Sequence, residues 1–122
     1  QTLLLIRNAM SGHKKWLAKK RGGKQADFSK KAFEGQNLEG WQLAKTVMAG
    51  TNLTGSTLKG ADLTEADMFG ATLSDVDLQN ANLEGAVLRG VSLKGANLTN
   101  ANLKDADLRG GVMMGADGSA SM

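Results

Sequence analysis

The sequence predicts an all-β solenoid, a chain that bends once every five residues around a narrow apolar interior. A five-residue unit repeats in one unbroken frame from Ala26 to about Asp117. The third residue of all eighteen units is apolar, from Phe28, Phe33, Leu38, Leu43, Met48 and Leu53 to Leu108 and Met113. The fifth residue is glycine in eleven units, and Asp75, Asn80, Asn100 and Asp105 fill four more. A fixed period of this kind marks a repeat architecture.

A period of five excludes the regular alternatives. An α-helix advances about 100° per residue, so residues five apart sit roughly 140° apart and the leucines would wander over every face. A flat strand alternates its side chains, and an odd spacing throws every second leucine to the wrong side. Both conflicts vanish if a short extended stretch is followed by a corner. Gly, Asn and Asp take positive φ or tight turns at low steric cost. Lys30, Lys45 and Glu65 are the exceptions, and slightly different corners are expected there. First positions are mostly small, as at Ala26, Thr46, Ala61 and Ala86, and share the inward side with the leucine two residues on. Close packing of a thin interior needs that alternation of small and large. Second and fourth positions point outward and hold most of the polar residues.

The A-[DN]-L-x-x pattern resembles the pentapeptide-repeat proteins and spans about three quarters of the chain. The resemblance implies a right-handed quadrilateral β-helix, with four pentapeptides per coil, one on each side. Eighteen units then make about four and a half coils, and a spacing of roughly 4.8 Å gives a rod about 20 Å long. The predicted organisation is a basic capping helix over 1–25, the β-helix over 26–117 and a tail over 118–122.

The 122 residues suit one domain. Aromatics are 4% of the chain, as an interior too thin for rings requires. The lack of cysteine excludes a disulfide framework and leaves the redox compartment open. The apolar run Leu3 to Ile6 is too short to cross a bilayer, no signal peptide is recognisable, and the cytoplasm is the expected location. The chain begins with Gln rather than Met, which leaves a lost leader open.

Residues 1–25 hold seven bases and no acid. Leu3, Ile6, Met10, His13 and Leu17 fall at helical spacing. The expected helix ends at Arg21, with Lys19, Lys20 and Arg21 suiting its dipole and Gly22-Gly23 supplying a left-handed stop. Its start is open: near Leu3, or at Ser11 as an N-cap beyond a break at Ser11-Gly12. An uncovered solenoid end exposes strand edges, so the helix is expected to cap the first coil. His13 would face inward, with Trp16 and Leu17 laid over the coil. A helix with H-x-x-W-L before the repeats also resembles the leader of many pentapeptide-repeat proteins. Lys31, Gln36 and Trp41 take first positions that are small elsewhere, and Trp41 is expected against the helix.

With four units per coil, residues twenty apart stack. Val47, Ala49, Phe69 and Val87 then share an outward side, flanked by Asp27, Asp67, Asp107, Arg89 and Arg109. Exposed apolar patches mark contact sites, although scattered surface apolars are common. The predicted partner-binding residues are Val47, Phe69, Val87 and Arg89. At the C-terminal end, either the tail folds over the last coil or Val112, Met113 and Met114 form an end-to-end association surface.

No catalytic constellation, cofactor motif or metal cluster is recognisable. His13 is a lone histidine on the inward side of the helix, where a structural role is expected. The run Gly50 to Thr57 has the glycine spacing of a phosphate loop without its lysine. Asn52-Leu-Thr54 and Asn97-Leu-Thr99 match glycosylation acceptors only because the repeat recurs. The expected function is a non-enzymatic protein–protein interaction or scaffold module within a larger assembly. The resemblance supplies an alternative, since some pentapeptide-repeat proteins mimic duplex DNA, bind DNA gyrase and protect it from inhibitors. Such mimicry needs a strongly acidic surface. The net charge is +3, and from Thr46 to Asp117 nine acids meet five bases, a net of −4. The dimerising C-terminal extension of the family is not apparent. Nucleic acid and membrane are disfavoured partners, because the basic segment has Trp16 as its one aromatic and a solvated helix face accounts for its lysines.

Overall fold

One turn, repeated, builds the molecule. At every described corner but one, the carbonyl of a unit's third residue accepts the N–H of the next unit's first residue, as from Lys31 to Phe28 (3.1 Å), Thr51 to Met48 (3.1 Å) and Ala71 to Met68 (2.9 Å). The fifth residue sits third in that turn with positive φ, from 56° at Glu65 to 74° at Gly95. This is type II turn geometry. Lys30, Lys45 and Glu65 do not make different corners: their φ values are 62°, 61° and 56°. Stacking imposes the corner on them, at about 1–2 kcal/mol per residue.

The structure, a computed structural model, describes residues 2–111. Each extended stretch forms single-residue parallel bridges with the coils above and below. Partners are twenty residues apart, as in Asp27 to Val47, Val47 to Asp67, Asp67 to Val87 and Val87 to Asp107. Twenty residues are four pentamers, so every coil has four sides. The coils are 26–45, 46–65, 66–85 and 86–105, and a fifth begins at 106–111. Third and fifth residues donate forward, as Phe28 N–H to the Val47 carbonyl (2.7 Å) and Lys30 N–H to Ala49 (2.9 Å). Second residues donate back, as Val47 N–H to Ala26 (3.0 Å). The buried backbone is thereby satisfied from both sides.

The third-position side chains form four interior columns, in which Leu43, Leu63 and Leu83 are fully buried. Each such leucine contributes roughly 1.5–3 kcal/mol. The columns loosen in the last described turns, where Leu98, Leu103 and Leu108 are half-buried. At the base, Phe28 and Phe33 meet edge-on with centroids 5.4 Å apart. Buried hydroxyls finish this wider coil: Thr51 Oγ1 donates to the Phe28 carbonyl (2.7 Å) and Ser56 Oγ to Phe33 (2.8 Å). Ser56 Oγ also accepts the Gln36 N–H (2.9 Å), standing in for the missing turn bond at that corner.

Helix α1, Thr2–Leu17, runs unbroken through Ser11 and Gly12. It stops at Leu17 rather than Arg21. Lys20 N–H donates to the Lys15 carbonyl (2.9 Å) and Lys19 N–H to Trp16 (3.0 Å), the paired bonds of a Schellman cap, with Lys19 at φ 55° in the left-handed seat. Gly23 has a different task. A Cβ there would lie 2.6 Å from the Trp16 Cα, so only glycine lets the returning chain touch the helix backbone. Lys24 N–H then reaches the Gly12 carbonyl (3.0 Å).

The helix packs on the first coil through Leu3, Ile6, Ala9, Met10 and His13. Trp16 and Leu17 do not lie over that coil. They are 36% and 40% exposed at its rim, and Trp16 stacks on the His13 ring at 5.3 Å. Helical spacing puts Leu17 on the inner face, and there, at the last residue of the helix, it borders Met10, His13 and Trp41 while remaining partly exposed. Trp41 is half-buried, with the Arg7 guanidinium 5.3 Å from its ring centre. Val112, Met113 and Met114, and the 118–122 tail, lie outside the described residues.

Candidate interaction face

The second position of the repeat carries a task that periodicity alone does not show. Its Asp or Asn Oδ1 accepts the fourth residue's N–H, as Asn52 does for Thr54, Asp62 for Thr64, Asp77 for Gln79 and Asn97 for Thr99, all at 3.0 Å. That N–H points away from the coil-to-coil ladder, and the side chain caps it in an Asx turn. Composition marks these residues as outward and polar only.

One side, built from 26–30, 46–50, 66–70, 86–90 and 106–110, breaks the rule twice. Val47 and Val87 offer no acceptor, so Ala49 and Arg89 lack the cap that Asp67 gives Phe69 (3.1 Å) and Asp107 gives Arg109 (3.2 Å). Ala32, on the next side, is another apolar second position, and Val112 is one more in the sequence. Places where a local rule is given up are where function is expected. What this side gains is an apolar strip. Val47 and Val87 pair with Asp67 from either coil, and Phe69 stands 54% exposed in the neighbouring column between Ala49 and Arg89.

Above Lys30, whose side chain lies against Gly50, the adjoining corner is bare. Gly50, Gly70 and Gly90 stack there, and a Cβ on Gly90 would sit 3.8 Å from the Gly70 Cα. Glycine columns of this kind admit a second backbone at close range. The other corners carry side chains, including Asp75, Asn80 and the Lys45–Glu65 pair at 3.6 Å.

Charge frames the strip at both ends. Arg109 donates to Asp107 from Nε (2.9 Å) and Nη2 (2.7 Å), while Arg89 Nε lies 3.9 Å from the same carboxylate. The Arg109 hydrogen bond is the main reason the Asp107 carboxyl is pulled down to about 2. Asp27 is lowered too, first by the Ser29 hydroxyl and then by the Ser29 N–H. Asp67, under Phe69, makes no ion pair among the described residues.

Val47, Phe69, Val87 and Arg89 are therefore neighbours, whereas His13 is buried under α1, and Trp16 and Leu17 stand at the rim of the first coil, Trp16 beside Thr46 and Asp67 at the base of the same side. His13 Nδ1 accepts the Ala26 N–H (2.9 Å) and Nε2 faces the Ala44 carbonyl at 2.7 Å. An accepting Nδ1 and a donating Nε2 describe the neutral imidazole, and both nitrogens are spent joining α1 to the first coil. A shallow groove of about 290 Å³ runs beside it, lined by Met10, His13, Lys14, Leu17 and Trp41. No His, Cys, Asp and Glu cluster among the described residues could hold a metal.

A family model for pentapeptide repeats matches residues 37–75 and 71–110, with eight copies. The chain belongs to the pentapeptide-repeat family. Its coils form the right-handed quadrilateral β-helix, with α1 at the N-terminal end. A pentapeptide-repeat protein of the Arabidopsis thaliana thylakoid lumen is 36% identical over 69% of this chain and 58% of its own, with a TM-score of 0.67. Another, from Nostoc PCC 7120, is 29% identical over 87% of this chain and 74% of its own, with a TM-score of 0.54. QnrB1, a plasmid-mediated fluoroquinolone resistance protein, aligns with a TM-score of 0.69 but 15% identity, over 75% of this chain and 48% of its own, which is a likeness of fold. The pentapeptide-repeat chain thus spans 58% of the Arabidopsis protein and 48% of QnrB1. No curated protein matches the sequence significantly. Among the described residues no helix is long and apolar enough to cross a membrane.

Proposed function

We propose that this pentapeptide-repeat chain is a non-enzymatic interaction module that docks a protein partner on the side carrying Val47, Phe69, Val87 and Arg89. The supporting observation is Phe69, 54% exposed on a strip where two capping Asx residues have been exchanged for valine. An aromatic anchor with an arginine beside it is the composition of an interface hot spot. The hydrogen-bonded coil is rigid, so the strip is presented already ordered and little entropy is lost on docking. Exposed coil sides above the first coil suit a scaffold role within a larger assembly.

Binding of the partner recovered with the parent protein tests this reading. Phe69→Asp, which leaves the interior columns untouched, weakens it by about 2 kcal/mol or more, roughly 30-fold. A folded variant that binds as the parent does would remove this side from consideration. The gyrase alternative is not favoured by the surface: Arg89 and Arg109 stand on the strip itself, and Lys59, Lys94 and Lys104 interrupt the acids elsewhere. A supercoiling assay at high protein excess is expected to show no inhibition, and inhibition would reinstate the gyrase reading.

A further inference from the structure

Helix α1 commits its inner face to the first coil, yet its outer face is not simply polar. Leu4 and Leu5 are 53% and 49% exposed. At about 100° per residue, Leu4, Ser11 and Lys15 fall opposite Ile6 and His13, with Leu5 and Trp16 together on one flank.

The cations gather around the same helix. Lys14, Lys15, Lys19, Lys20, Arg21 and Lys24 are all exposed, no acid precedes Asp27, and none of the six joins an ion pair among the described residues. They do not trail away from the molecule. The Schellman turn redirects the chain at Lys19, Gly23 abuts the backbone of Lys15 and Trp16, and Lys24 N–H bonds to Gly12. The basic return segment is thereby fastened along the C-terminal half of α1, next to the face that bears Leu4 and Leu5.

We propose that this capped end binds an anionic lipid surface. Leu4 and Leu5 enter the boundary between headgroups and acyl chains, and the lysines and arginine face the lipid phosphates and carboxylates. A bared apolar pair beside uncompensated cations is the make-up of an interfacial helix. A nucleic acid would use the cations but leave both leucines in water, so the leucines decide between the two. The proposal does not depend on the Phe69 strip, and either can fail without the other.

The test is cosedimentation of the full chain with phosphatidylcholine vesicles, with and without about one third phosphatidylserine. The parent is expected to bind the anionic vesicles at least about tenfold more tightly, with an affinity that falls as salt rises. Leu4→Ser with Leu5→Ser, both exposed and outside the core, weakens that binding about tenfold. Lys15→Gln with Lys19→Gln and Lys20→Gln weakens it by at least as much. Circular dichroism establishes that each variant is folded. Equal binding to neutral vesicles, or none to anionic ones, overturns the proposal. So does vesicle binding indifferent to the leucine substitutions alongside equally tight binding of duplex DNA, which would make this end a general polyanion site.

Discussion

Gly23 and Asp107 show how single residues carry separate parts of this structure. Gly23 is where the returning chain meets α1, and an added Cβ would collide with the Lys15–Trp16 backbone. Backbone yields less readily than a side-chain tip, so Gly23→Ala is expected to cost about 1–3 kcal/mol, read as a lower urea midpoint at unchanged slope. The Asp107 carboxyl, held at about 2 by Arg109, is expected to titrate there in a carbon-detected NMR experiment and to move toward 3.8 in Arg109→Ala. The sign follows from the depressed folded value. The contribution of this pair is complete above about pH 3.8 and is lost as pH falls toward about 2. The two glycines after α1 were legible as punctuation, but not as to which kind. Glycine serves both as a helix stop and as a point of close approach. Here Lys19 takes the stop and Gly23 the approach, a choice made by packing between segments far apart along the pattern.

Coils and helix are the next scale. In a solenoid each repeat is supported by its neighbours, so interior substitutions should cost more between two coils than near an end. Leu63→Ala, in the second of the four described coils and fully buried, is expected to lose about 2–5 kcal/mol. Leu98→Ala, half-buried in the last coil, is expected to lose clearly less. Thermal or denaturant unfolding of the two variants checks the order, and equal losses would contradict the stacked arrangement. The five-residue period, the inward third position and the corner at the fifth were all readable because a single turn recurs. Two things were not. Lys30, Lys45 and Glu65 turn like glycine because the ladder between coils overrides their own preference. The Asx caps at Asn52, Asp62 and Asn97 are not legible in the sequence, because an outward polar residue looks the same whether or not it holds a neighbouring N–H.

Taken whole, the molecule is a four-sided rod with unlike parts: a basic cap, a filled interior and one side with an apolar strip. Stacking at twenty residues made that side legible as a set, bringing Val47, Phe69 and Val87 together from separate coils. The proposal that it docks a partner rests on the exposure of Phe69 and on the missing Asx caps at Val47 and Val87, which the folded chain displays together. A photo-crosslinking amino acid placed at position 69 tests this most directly, against the same group at position 79 on another side. Covalent capture of a partner from 69, and not from 79, is the predicted result. Capture from 79 with none from 69 would contradict it.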